Sequence, residues 1–341
     1  MSSFNSLRQK ILLSLVFGLA VFAALGIYAD LPKIAESLGK FKWQFLPAIL
    51  ALTLLNYLLR FVKWHYYLGQ IGVKRIGLRD SSLVFFSGLS MVVTPGKVGE
   101  WLKSYLLKEV TGTPISASAP IVIAERLTDG LAMLLLASGG LLIYGYGWEV
   151  LSVVFLAALI LVTVIQFRPL AQALLSFGER LPLVSAKIHH LHIFYDSSYQ
   201  LLKMRNLLLA VGIGLVSWAG ESVAFYFVLV GLGLQPNIML LIQATFILSV
   251  SSVVGAASMV PGGLAVAEGS IATLLLFLHV VTELSLAATA TLLIRFCTLW
   301  FGVSIGIFAL FLFTRRSTLP GGNGFGPVAQ EELEVIGRAN R

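Results

Sequence analysis

The sequence predicts an all-α polytopic membrane protein, with about six full transmembrane helices plus two broken or re-entrant hairpins arranged as an inverted repeat. Three observations carry that prediction. Of 341 residues, 57% are hydrophobic and only 12% charged, with a mean hydropathy of +0.90, whereas soluble domains are roughly a quarter charged. Runs such as Leu131 to Ile143 and Val153 to Ile165 are apolar on every side, without the period-two alternation that a membrane barrel requires. Two breaks, Pro95-Gly96 and Pro261-Gly262-Gly263, interrupt apolar runs, and each is soon followed by a glutamate, Glu100 or Glu268.

Taken in order, Arg8 and Lys10 precede an apolar stretch, Ile11 to Tyr28. It is longer than the roughly 7 to 15 residues of a signal-peptide core, so it reads as an uncleaved first span. A second span, Trp43 to Leu68, ends with Lys63, Trp64, His65, Tyr66 and Tyr67, which read as a basic and aromatic belt in the headgroup layer. Arg60 lies deeper, where it can face an internal cavity. The next apolar run, Ser81 to Val93, is shorter than the roughly 20 residues a span needs and should stop partway. Pro95 disfavours helix at Thr94 and Gly96 permits a sharp turn. Lys97 and Glu100 then fall where an ionised group costs at least about 2.5 kcal/mol unless paired or hydrated, which marks them as candidate substrate-binding residues. The alternative is a turn at the membrane surface bearing ordinary interfacial charges.

After a surface segment, Lys103 to Pro114, a long apolar region runs to Tyr146. Its first turns hold Glu125, Arg126 and Asp129 on one side of a helix, at spacings that let them neutralise one another. They are either a helix-end ion cluster or part of a substrate site. A further span, Leu151 to Phe167, leads to residues 169–206, where charges alternate with Leu, Ile, Phe and Tyr as in an amphipathic cytoplasmic surface segment. His189, His190 and His192 diverge around a helix and lack the spacing of a zinc motif, so interfacial contact is their expected role, and no metal or cofactor is expected. Three regions follow: Leu207 to Leu232 containing Glu221, Ile238 to Val280 broken at Pro261, and Leu284 to Phe313 containing Arg295. Residues 1–316 form the membrane domain, and the Gly-rich, charged tail 317–341 is expected to be disordered. The single cysteine, Cys297, admits no internal disulfide.

The two breaks belong to similar units. Glu100 precedes Arg126 by nearly the interval at which Glu268 precedes Arg295, and LGQIGV at residues 68–73 matches VGLGLQ at 230–235 in glycine and apolar positions. Two copies of a span, broken hairpin and span are expected over about 43–146 and 207–313. Six crossings put both termini on one face. That face also receives Arg8, Lys10, Arg79, Lys103, Arg168, Arg205, Arg315 and Arg316, while the opposite face holds Lys33, Lys40 and Lys42. The asymmetry predicts a multi-pass cytoplasmic (inner) membrane protein with cytoplasmic termini. The net charge of +8 is thereby attributed to lipid-facing orientation, with no nucleic acid partner.

TPGKVGEWLKSYLLK, AERLTDGLAMLLL and VPGGLAVAEGSIATLLL together resemble the transmembrane region of the lysylphosphatidylglycerol synthase family, a flippase-like module, over about residues 10–315. The resemblance implies an integral inner-membrane protein that moves a phospholipid or lipid-linked group between leaflets. In that family the second motif commonly reads PGGLG followed by arginine and glutamate, and here Ala265 and Ala267 occupy the glycine and arginine positions. The family's soluble aminoacyl-transfer domain has no counterpart in the sequence, so lysyl transfer is not implied. A lipid flippase or scramblase is expected, with Lys97, Arg126 and the N-terminal ends of the broken helices holding phosphate. Glu100 or Glu268 would face a cationic headgroup or a coupling proton, and Glu125, Asp129 and Arg295 complete the candidate set. Alternatives are a non-catalytic subunit that anchors an envelope-biosynthesis partner, or a small-solute carrier using the same broken helices. No HExxH, GxSxG, acidic pair or Walker loop points to an enzyme.

Overall fold

The computed structural model describes residues 30–73, 76–93, 101–144, 148–179, 188–258 and 260–317. The expected first span, the segment from Thr94 to Glu100 with Pro95, Gly96 and Lys97, and the tail from residue 318 lie outside them. All regular structure among the described residues is helical. In chain order the helices are α1 (Leu31–Lys40), α2 (Leu46–Gln70), α3 (Leu78–Leu89), α4 (Leu102–Thr111), α5 (Ile115–Tyr144), α6 (Trp148–Gln166), α7 (Arg168–Glu179), α8 (Ile188–Leu201), α9 (Met204–Gly231), α10 (Ile238–Ala257), α11 (Val266–Phe277), α12 (Leu284–Arg295) and α13 (Phe301–Ser317). Four segments among the described residues, Trp43–Gln70, Met204–Gly231, Ile238–Ala257 and Leu284–Arg316, are long and apolar enough to cross a membrane. The chain is a multi-pass membrane protein.

Local chemistry sets the helix ends. Proline occupies the first turn of α1 and of α2, where its missing N–H costs nothing. The Asn237 side chain caps α10 by accepting from the Leu240 N–H at 2.8 Å. Gly112, at φ 73°, terminates α4 and donates to the Lys108 carbonyl. The two hairpin arms differ in length. At 12 residues α3 rises roughly 18 Å, less than the hydrocarbon thickness, whereas the 20 residues of α10 rise roughly 30 Å, enough to match it.

The centre of the molecule is the antiparallel pair α2 and α9. The Lys42 N–H donates to the Gly231 carbonyl at one end, and at the other Tyr66 Oη donates to Asn206 Oδ1 while Asn206 Nδ2 donates to Gln70 Oε1. Midway, Asn56 Nδ2 donates to the Ser217 carbonyl and Ser217 Oγ donates to the Asn56 carbonyl, at 3.1 and 3.3 Å. Around this pair α13 packs on α3, α10 on α5, and α9 on α5. Lipid offers no hydrophobic drive for helices to associate, so close approach depends on small residues. Gly306 lies against the backbone of Ser90, Gly140 beneath Phe246, and Gly214 beside Ala132, each leaving almost no room for a methyl group. One buried apolar cluster surrounds Ile49, Phe225, Leu229 and Ile247, and another surrounds Trp64, Phe85, Leu107 and Leu201. They sit toward opposite ends of α2 and leave its middle for polar groups.

At the second break a single 3-10 turn, Pro261–Gly263, separates α10 from α11. Gly262 and Gly263 adopt φ of 60° and 67°, a region open to glycine at no steric cost. Ala265 also has positive φ, 67° with ψ −43°, near the strained γ-turn conformation that costs a residue with a Cβ about 1 to 3 kcal/mol. Against the entropy that glycine adds to the unfolded chain, roughly 0.5 to 1 kcal/mol, Ala265→Gly should stabilise the protein by about 1 kcal/mol. A raised thermal midpoint in detergent is the expected result; an unchanged or lowered midpoint would show that Ala265 is unstrained.

Candidate functional site

Between the two apolar clusters lies a cavity of about 150 Å³. It is lined by Arg60 of α2, Arg126 of α5, Glu221 of α9, Ser252 of α10, Gly262 of the break and Arg295 of α12. Three guanidinium groups and one carboxylate thus converge within the membrane-spanning bundle. Such groups are tolerated at that depth when they pair or meet water.

Arg295 is fixed from two sides. Its Nε donates to Glu268 Oε1 at 2.5 Å, and its Nη2 donates to the Gly262 carbonyl at 2.8 Å. Glu268 is fully buried. The carbonyl exposed by the break and the carboxylate in the first turn of α11 therefore hold one arginine at the cavity wall. Directly after Arg295 the helix widens into a π turn, Phe296–Trp300, before continuing as α13. Such turns expose carbonyls and recur at functional sites. Here Tyr57 Oη donates to the Thr298 carbonyl, and a Cβ at Gly302 would fall on that hydroxyl.

Arg60 lies 3.6 Å from Asp129 Oδ2, too far for a hydrogen bond but close enough for Coulomb attraction. The other oxygen of Asp129 accepts from Lys63, whose ammonium also reaches Thr128 Oγ1 at 3.3 Å. Lys63 is completely buried, as are Trp64 and Tyr67. The expected interfacial belt is therefore corrected at these residues, because α2 turns them inward, where Asp129 satisfies the ammonium and the aromatic rings fill the core.

Glu125, Arg126 and Asp129 were expected to neutralise one another along one helix side, and the carboxylates instead find partners on other helices. Glu125 pairs with the buried Lys103 of α4, whose ammonium lies 4.8 Å above the Trp64 ring and 5.2 Å above Phe85. A cation so placed gains from both the carboxylate and the ring faces. The two lysines, Lys63 and Lys103, reach these carboxylates from α2 and α4. Of these three residues only Arg126 lines the cavity. Glu221 is 8% exposed and makes no hydrogen bond or salt bridge with a described residue.

The structure thus brings together Arg126, Glu268, Arg295, Pro261, Gly262 and Gly263, and sets Glu125 and Asp129 in buried pairs behind the cavity. Lys97, Glu100, Pro95 and Gly96 lie outside the described residues. Tyr57, Lys63, Lys103 and Glu221 are absent from the sequence-derived site. Glu221 was legible as the lone acidic residue of an apolar span. The other three carry no local signal, since a lysine at the end of a span has the same pattern whether it faces headgroups or a buried carboxylate.

Fold and cavity define a helical membrane protein with a charged chamber built at a broken helix. The match to known sequences makes this specific. The family model described as lysylphosphatidylglycerol synthase TM region covers residues 15–306, and the chain belongs to that family. It is similar to two archaeal UPF0104 membrane proteins. One, from Methanothermobacter thermautotrophicus, is 25% identical over 290 residues, covering 77% of this chain and 82% of the relative. The other, MJ1078 of Methanocaldococcus jannaschii, is 26% identical over 187 residues, covering 52% of this chain and 74% of the relative.

Removing one partner of a buried ion pair costs about 3 to 5 kcal/mol, whereas replacing both by apolar side chains is often neutral. Lys103→Met should therefore destabilise the protein by that amount, and Lys103→Met with Glu125→Leu should restore most of the loss in thermal midpoint. Equal destabilisation in both proteins would show that the pair has a role beyond mutual neutralisation.

Proposed function

We propose that this protein moves a phosphate-bearing lipid headgroup between the leaflets of the cytoplasmic membrane, through the arginine-lined cavity. The observation that carries the reading is the convergence of Arg60, Arg126 and Arg295 on one chamber inside the bundle. Guanidinium forks match phosphate oxygens, and their attraction is strong where water is scarce. Glu221, buried and without a hydrogen-bond or salt-bridge partner among the described residues, lines the same space and suits a hydroxyl or ammonium donor on the headgroup. Family membership supports a lipid as the cargo.

An inverted repeat supplies the route. Antiparallel packing of α2 on α9 supports it, as do the reciprocal bonds between Asn56 and Ser217. One turn beyond that contact, the corresponding positions of the two helices are Arg60 and Glu221. The packing of α3 on α13 and of α10 on α5 exchanges elements between the halves in the manner a pseudo-two-fold axis requires. Two such halves rocking about a central site would expose it to each leaflet in turn. Arg79, Arg315 and Arg316 at one end favour a cytoplasmic placement of that end.

In proteoliposomes containing a headgroup-labelled phosphatidylglycerol, Arg126→Gln and Arg295→Gln should slow transfer between leaflets by roughly ten- to a hundredfold. That is the loss expected for one charge-assisted contact of about 1.5 to 3 kcal/mol. Both proteins must first be shown to be folded by their thermal midpoints. Transfer at the unmutated rate by either folded variant would contradict the reading.

A further inference from the structure

One carboxylate on the cavity wall lacks a fixed counter-ion. Glu125, Asp129 and Glu268, the other carboxylates buried among the described residues, each hold a lysine or arginine within hydrogen-bonding distance. Glu221 is also buried, yet it makes no hydrogen bond or salt bridge with a described residue. The charges it meets stand further off: Arg60 of α2, Arg295 of α12 and Asp129 of α5, with Arg126 of α5 on the same cavity wall. Both Arg60 and Arg295 have nearer partners, since Asp129 lies 3.6 Å from Arg60 and Glu268 holds Arg295. Tyr57 of α2 gives its hydroxyl proton to the Thr298 carbonyl. Of the other elements packed on α9, α10 carries no titratable side chain, and α8 keeps His189, His190, His192 and Asp196 exposed.

We propose that Glu221 is the proton-binding residue of the cavity, so that an anionic phosphate headgroup enters together with one proton. The inference rests on the phosphate reading of the cavity and adds the ion that accompanies the lipid. Before a headgroup binds, the arginines answer the Glu221 carboxylate across the space. A phosphate drawn onto Arg60, Arg126 and Arg295 takes up that charge and sets a second anion against Glu221 within about 150 Å³. Two like charges sharing one poorly solvated site do not both stay ionised. A phosphodiester is a far stronger acid than a carboxylic acid, so the proton goes to a carboxylate. Glu268 and Asp129 are each held in contact with a cation, Arg295 and Lys63, which leaves Glu221. A solvent proton forms one O–H bond on its carboxylate, and no other bond is made or broken.

Headgroup charge decides whether the proton is needed. A headgroup with its own ammonium brings a cation to Glu221, whereas phosphoglycerol brings none. Position gives the protonation a consequence, because Glu221 and Arg60 lie one turn beyond the Asn56 and Ser217 bonds that join α2 to α9. Charge balance across this central helix pair then depends on lipid and proton together, and a pH difference across the membrane would drive anionic lipid away from the acidic side.

Calorimetric titration of the full-length protein in detergent with dihexanoyl-phosphatidylglycerol, in buffers of equal pH and different ionisation enthalpy, counts the protons taken up on binding. The unmutated protein should take up close to one proton near neutral pH, and its affinity should rise by up to about tenfold for each unit that pH falls. Folded Glu221→Gln should bind the lipid with no proton uptake and no such pH dependence. If the thermal midpoint shows that this variant fails to fold, Glu221→Asp decides: the protonated-carboxyl band that lipid binding raises in the infrared difference spectrum should move with the new side chain, and an unmoved band would overturn the proposal. Undiminished uptake by folded Glu221→Gln would overturn it in favour of another group, as would equal uptake with dihexanoyl-phosphatidylethanolamine. Binding of the phosphatidylglycerol by the unmutated protein without proton uptake would overturn the coupling and leave the phosphate reading standing, whereas no binding at all would remove both.

Discussion

The cost of an ion in hydrocarbon governs this structure. A charge at mid-membrane is stable only beside an opposite charge, a hydrogen-bonding group or water. Lys63 meets Asp129, Lys103 meets Glu125, and Arg295 meets Glu268 and a freed carbonyl. Each pair joins two different helices, so the charges act as register pins between helices that lipid alone would not order. Glu221 departs from this pattern, and Arg60 follows it only through a contact too long for a hydrogen bond. Both line the cavity, a polar space inside the bundle.

Small residues and broken helices make that arrangement possible. Glycine at positions 140, 214 and 306 lets helices approach closely enough for short polar side chains to reach across. The turn at Pro261–Gly263 turns a backbone carbonyl toward Arg295, and the π turn that follows Arg295 offers another to Tyr57. Irregular backbone in a membrane survives where it is buried in protein or lines a polar space. Here it does both, and the strain at Ala265 lies immediately before the helix that carries Glu268.

Much of this was legible in the sequence because membrane solvation constrains sequences strongly. The all-helical polytopic class follows from hydropathy alone. The break at Pro261 follows from the backbone chemistry of proline and glycine, and the need of Arg126, Glu268 and Arg295 for a partner or a polar space from the cost of intramembrane charge. What could not be read is pairing across the bundle. Spacing along one helix grouped Glu125, Arg126 and Asp129, whereas the folded chain sends them in different directions, toward α4, the cavity and α2. The aromatic and basic end of α2 matched an interfacial belt, and composition could not reveal that Trp64 and Tyr67 turn into the core. Periodicity describes one helix at a time, and these contacts are set by which helices become neighbours.

The central claim is that a water-bearing chamber exists between α2, α5, α9, α10 and α12 inside the membrane domain. Thiol labelling tests it directly, in a background where Cys297 is replaced by alanine and one cysteine is introduced at a time. Ser252→Cys, on the cavity wall, should react with a membrane-impermeant, water-soluble thiol reagent, while Val216→Cys, outward-facing and 60% exposed, should be shielded by lipid. Protection of Ser252→Cys to the same degree as Val216→Cys would mean that the arginines enclose no aqueous space, and the chamber would have to be abandoned.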